Sequence, residues 1–203
     1  MATARTRTNT GISGQTYSGA AKAVPPAVAV ELWPHDPAWT EDAQREAERL
    51  TAAVGDLIIS VHHIGSTAVP NIRAKPILDL MPVVRNLSAL DVARPVIEGL
   101  GYAWWGEYGL QGRRYCTYDD PATSRREVQL HCFEVNSSEI KRLLAFRDFL
   151  RSHPDLAHAY EADKLRCQAL HPDDSNAYSA CKGDWIRKIE AEALSNKGFA
   201  NES

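Results

Sequence analysis

The order of apolar and polar positions divides the chain into helical and extended segments. In "EDAQREAERLTAAVG", Ala43, Ala47, Leu50 and Val54 recur at three- and four-residue spacing, which predicts one amphipathic helix. Asp36-Pro37 and Thr40 offer helix-start chemistry, with Thr40 placed as N-cap, and Gly55 closes the helix. "LIISVHHIG" reads as a buried strand and "KPILDLMPVV" as a second, with Gly65 to Ala74 connecting them. "SALDVARPVIEGLGY" predicts a further helix, capped by Ser88 and broken or entered at Pro95. "YAWWGEYGLQGRRYCTYDD" alternates aromatic with small or polar residues, as a hairpin arm does. "REVQLHCFEV" has the clearest period of two: Val128, Leu130 and Cys132 on one face, Glu127, Gln129 and His131 on the other. Helical spacing then takes over. "SSEIKRLLAFRDFLRSH" has a Ser137-Ser138 cap, a core set of Ile140, Leu143, Leu144 and Leu150, and a stop at Pro154. "PDLAHAYEADKLRCQALH" and "SNAYSACKGDWIRKIEAEAL" predict two more helices. The expected class is a mixed α+β domain.

Composition narrows the picture modestly. The 203 residues suit one domain with a real core, and 44% apolar with 24% charged residues is ordinary globular usage. A net charge of −3 gives no general attraction to nucleic acid or anionic lipid. Residues 1–30 hold Arg5, Arg7 and Lys22 and no acid; without an apolar stripe they read as a disordered tail over 1–27, ahead of a domain at 28–194 and a C-terminal tail at 195–203. No apolar run reaches the length of a membrane helix. Cys116, Cys132, Cys167 and Cys181 lack zinc-type spacing, so reduced, packing cysteines in a cytoplasmic protein are expected.

Chemistry concentrates in "VHHIGSTAVPNIRAKPILDL". Gly65 lets backbone approach a ligand closely, and Ser66 with neighbouring N–H groups can hold phosphate oxygens. Gly65, Ser66, Thr67 and Lys75 are therefore candidate phosphate-binding residues. Asp79 lies mid-strand on the face of Ile77 and Met81, where an acid is costly unless it pairs, binds a metal or opens onto a cleft. Pairing with Lys75, Arg73 or a helix N-terminus is the structural alternative. Arg113, Arg147 and Lys182 supply cations suited to phosphate or carboxylate. Arg147 with Asp148, and Lys182 with Tyr178, also read as purely structural pairs. Ser66 has no sequence-local base, and no nucleophile elbow occurs.

The ordered set "HIGSTAVPNIRAKPILDL", "GLQGRR", "LHCFE", "LAFRDFLRSHP" and "AYSACKGDWI" resembles the GrpB family over roughly residues 28–192. That resemblance implies a nucleotidyltransferase-like fold, a small mixed sheet backed by helices with "GS" opening the site. Enzymes of that superfamily follow Gly-Ser with Asp-x-Asp and a third acid on a later strand, and the three carboxylates hold two divalent cations. Here Met81 stands at the second acid, and Gln129 and His131 occupy the face of the third, with Glu127 two residues earlier. One Mg²⁺ held by Asp79 and a substrate phosphate is what remains of that scheme, while His131 suits proton transfer or a softer metal.

Three functions are compatible with this set. The first is a transferase acting on a nucleotide or phosphate ester, with Asp79, His131 and Glu127 as catalytic candidates and Gly65, Ser66, Thr67, Lys75, Arg113, Gln129, Arg147 and Lys182 binding substrate. The second is an arginine-containing cyclodipeptide synthase, since the fungal enzymes of that kind resemble this domain. Charged tRNA would then meet Arg113–Arg114 and Arg125–Arg126, and the Trp104–Tyr108 region would receive an aromatic partner. The third is a non-catalytic nucleotide-binding module.

Overall fold

The computed structural model describes residues 25–199. Five strands form one mixed sheet: β1 (Ile58–Ile64), β2 (Leu78–Val84), β3 (Ala103–Trp104), β4 (Arg113–Asp119) and β5 (Arg126–Glu134), in the order β1-β2-β5-β4-β3. Only β2 and β5 run parallel. Their pairing sets Asp79 opposite Gln129, and β4 sets Tyr115 opposite His131.

Two helical layers cover the sheet. On one face lie α1 (Ala38–Val54), α2 (Leu87–Val92) and α3 (Arg94–Gly99). Trp39, Ala43, Leu50, Leu90 and Ile97 pack there against Leu78, Leu80, Val84, Cys116, Val128, Leu130 and Cys132. The other face carries α4 (Ser138–Ser152), α5 (Pro154–Leu170), α6 (Ser175–Cys181) and α7 (Gly183–Phe199). The alternation read from the sequence explains the division, because even-numbered residues of β2, and of β5 from Val128 onward, point at α1 and odd-numbered ones at α4–α7.

Several boundaries differ from expectation. Helix α1 begins before Thr40, because Asp36 Oδ1 accepts from the Ala38 N–H at 2.9 Å; Gly55 does close it, at φ +70 with its N–H on the Thr51 carbonyl. Asn86, not Ser88, caps α2 through the Ala89 N–H. The segment around Pro95 is broken there as expected, into two short helices, since a proline suits a first turn and not a helix interior. The last helical stretch is likewise two, α6 and α7, divided at Lys182. Helix α7 continues through Phe199, into the segment read as a C-terminal tail. Residues 1–24 of the expected N-terminal tail lie outside the described residues; those that follow form an extended strap tied by Val30 N–H to the Pro172 carbonyl at 2.7 Å.

The cysteines depart from the reduced set. Cys116 and Cys132 are free and buried in the sheet, but Cys167 and Cys181 form a disulfide that joins α5 to α6. The helical packing brings two Cα atoms 5.8 Å apart, a contact that their spacing in the chain does not announce.

Candidate functional site

Strand β1 ends in a tight turn at Gly65, followed by a single 3₁₀ turn over Ser66–Ala68. Gly65 has φ +69, and a methyl group there would overlap the Asp79 carboxylate and come within 2.9 Å of its Cβ. The glycine is thus what lets the loop close against the acid. Thr67 is buried and its hydroxyl meets His63 Nε2 at 2.9 Å. Burial holds that imidazole's pKa down at about 4.

Between this loop, the sheet and α4–α7 lies a cavity of about 270 Å³. Gly65, Ser66, Thr67, Lys75, Asp79, Gln129, His131 and Lys182 all line it, so eight of the residues selected from sequence converge. Asp79 Oδ1 sits 3.3 Å from His131 Nε2. The other ring nitrogen, Nδ1, is 3.4 Å from Arg113 Nη1. A guanidinium can only donate, so Nδ1 accepts and Nε2 carries the proton given to Asp79. Burial pushes the Asp79 pKa up, but this hydrogen bond, the imidazole and the charges of Lys75 and Lys182 outweigh it and hold the carboxyl below its usual range.

The lysines are the unusual element. Burial pulls Lys75 down to a pKa of about 8, aided by the charge of Lys182, and does the same to Lys182. Lys182 Nζ stands 4.2 Å from the centre of the Tyr178 ring and Lys75 Nζ 5.6 Å from it. Neither ammonium has a hydrogen-bond acceptor among the described residues. A third lysine, Lys164, is buried behind Tyr160 and donates to the Arg73 carbonyl. Burial lowers it to about 7.

Other selected residues stand elsewhere. Glu127 faces α1 rather than the cavity, near Asp42 and Glu46. The cause is a bulge: Asp119 pairs with Arg126 and Tyr118 with Val128, so the extra residue breaks the period of two. Arg126 is the buried residue there, bonded to Asp119 at 2.9 Å. Arg113 lies behind His131, holding the Tyr108 carbonyl at 2.6 Å and stacking 4.9 Å over Tyr115. Arg147 binds the His63 carbonyl at 3.1 Å and the Asp148 carboxylate at 2.8 Å. The basic pairs expected to meet tRNA are consumed internally: Arg114 by Asp91, Arg125 by Glu31 and Arg126 by Asp119. Trp104 packs against the core beneath α3.

The residues do not fit the expected divalent cation. Met81 is fully buried with Ile64 and Phe133, and among the described residues no three His, Cys, Asp or Glu side chains converge. Among the described residues the carboxylates lining the cavity are Asp79, which already accepts from His131, and Glu190, which Arg142 holds, and the two lysine ammonium groups there would repel a dication.

Tyr160, Tyr178, Phe146, Leu143, Ile186 and Glu190 also line the cavity, with Ile64, Ile77 and Ser179. Ser66 Oγ donates to Tyr160 Oη at 3.4 Å, and Glu190 is held by Arg142. Apart from the Tyr178–Lys182 spacing, those on α4–α7 are core-like residues on helical faces, and only helix packing reveals them as walls.

The family model described as GrpB protein matches residues 29–192. UPF0157 protein YqkA of Bacillus subtilis is 38% identical over 164 residues, covering 81% of this chain and 47% of its own length. The chain therefore spans about half of that relative. A dephospho-CoA kinase of Mycolicibacterium paratuberculosis is 30% identical over 183 residues, 78% of this chain and 44% of its own. Among solved structures, the conserved protein GrpB from Enterococcus faecalis superposes with a TM-score of 0.76 at 38% identity, covering 82% of this chain and 99% of its own. On the match across its whole central region, the chain belongs to the GrpB family.

Proposed function

We propose that this domain is a transferase of nucleotidyltransferase-like fold that binds a nucleotide or related phosphate ester in the Gly65–Lys182 cavity without a divalent cation. The observation that carries this reading is the pair of half-buried ammonium groups, Lys75 and Lys182, that line the cavity without a protein hydrogen-bond acceptor among the described residues, where Asp79 and the Arg142-paired Glu190 are the lining carboxylates. Burying unpaired charge is unfavourable, and an anionic ligand relieves it. A phosphate between the two lysines, with Ser66 and the Gly65–Thr67 backbone as further donors, uses lysine as a point-charge phosphate binder. The aromatic walls, Tyr160 and Tyr178, suit the organic part of the ester. The relative named dephospho-CoA kinase points toward the same substrate chemistry.

In transfer, an acceptor hydroxyl held beside Asp79 would attack phosphorus and pass its proton to that carboxylate. The leaving phosphate oxygen would depart with the bonding electrons toward Lys182. His131 has both nitrogens engaged, so its part is to orient and keep ionised the Asp79 carboxylate; Arg113 acts through it as a positioning residue.

Thermal unfolding in the presence of AMP, ADP and ATP tests the reading, in EDTA and again with Mg²⁺. A nucleotide at a hundred times its Kd stabilises by about 2.7 kcal/mol. Stabilisation in EDTA that Lys182→Met abolishes is expected. Absence of any shift, or a shift seen only with Mg²⁺, overturns it.

A further inference from the structure

A second cavity of about 330 Å³ adjoins the first and shares Lys75 and Ile77 with it. Its outer wall is the extended strap at Val28, Ala29 and Glu31, and its floor is Arg125 and Arg126 at the start of β5. The two cavities form one structural unit. Val28 N–H donates to Ser175 Oγ at 3.1 Å, and the Ser175 N–H donates to the Val28 carbonyl at 3.1 Å. Gln168 Nε2 holds the Val30 carbonyl at 2.8 Å. The strap that walls the second cavity is thereby fastened to α5 and α6, which wall the first.

Lys75 stands at the junction. Its ammonium responds to Lys182 and Asp79 on one side and to Arg126 on the other. Positive groups thus run from Lys182 through Lys75 to Arg126 and Arg125, the last two paired with Asp119 and Glu31, with a chamber at each end. One chamber has tyrosine and phenylalanine walls; the other is lined by Val28, Ala29, Pro76 and Ile77 around its charged floor.

We infer that the natural ligand is a two-armed phosphoester, a phosphodiester or pyrophosphate-linked molecule. Its phosphate lies at Lys75 and one organic arm enters each cavity. This rests on the phosphate-ester reading above and narrows it, because a mononucleotide with a terminal phosphate would fill only one chamber. At about 300 Å³ each chamber is at the small end of ligand pockets, and an arm in both is what gives the pair the capacity of an ordinary site.

The test compares AMP with diadenosine diphosphate by calorimetric titration in EDTA, on the full chain. Ala29 is exposed on the second cavity and away from the first, so Ala29→Trp fills the second chamber alone. The wild type is expected to bind diadenosine diphosphate at least tenfold more tightly than AMP. Ala29→Trp should erase that excess while changing AMP affinity less than twofold. Arg125→Ala, which removes an exposed pair with Glu31 and spares the core, should cut the excess at least threefold. Equal affinity for the two probes, or an excess untouched by both variants, overturns the inference and leaves the phosphate-ester reading standing. Failure of both probes to bind removes the two together.

Discussion

Gly65 adopts φ +69 directly against Asp79, and Gly65→Ala should cost about 2–3 kcal/mol by urea unfolding, backbone strain of about 1–3 kcal/mol being compounded by the overlap. The lysines make the opposite prediction. Their folded pKa values lie near 8, below the unfolded value of about 10.4. The unfolded chain therefore binds more protons between those limits, and each lysine makes stability rise with pH across that window. Lys182→Met should raise stability at pH 7, by about 1 kcal/mol or more, and flatten the rise of the urea midpoint between pH 7 and 9.5. Ligand binding would draw the lysine pKa values back up, so calorimetry at pH 8.5 in buffers of different ionisation enthalpy should show proton uptake. For Asp79 the sign reverses: its folded pKa is depressed, so its contribution is present above the unfolded pKa and lost as pH falls through the folded one. His131→Ala should move the Asp79 titration, followed by carbon NMR, toward higher pH.

At the scale of elements, the disulfide ties the helix carrying Tyr160 and Lys164 to the one carrying Tyr178, with Lys182 next in sequence. It closes a loop with a sequence separation of 14, for which chain entropy predicts about 3 kcal/mol. The Cys167→Ser, Cys181→Ser double variant, or a dithiol reductant, should lower the urea stability by roughly that amount. The bulge in β5 makes a negative prediction. Glu127 faces Asp42 and Glu46 on the far side of the sheet, so Glu127→Gln should leave nucleotide affinity unchanged within twofold, whereas His131→Ala should not. Strand alternation alone had placed this acid and this base on one face. One inserted residue sufficed to separate them, because each slip along a strand exchanges its faces.

For the molecule as a whole, what could be read in advance follows the range over which each interaction acts. Apolar spacing located the strands β1, β2 and β5 and the helices α1, α4 and α5, because burial on one face imposes its period on consecutive residues. It also set Gln129 and His131 opposite the apolar face of their strand and Asp79 beside Ile77 and Met81; the family resemblance implied that the three share a site, and the sheet register aligned Asp79 with Gln129. Cap positions, the division at Lys182 and the disulfide were not legible, since each depends on one side chain meeting a partner brought near by packing. The sequence by itself determined an α+β domain of the GrpB family and the loop and acid of the candidate site, both being local patterns along the chain. Only the tertiary structure decided that Arg113 stands behind His131, that Glu127 lies outside, and that Lys75 joins two cavities. Those facts depend on which of many compatible neighbours each charge meets, and helix packing and a single bulge choose among them.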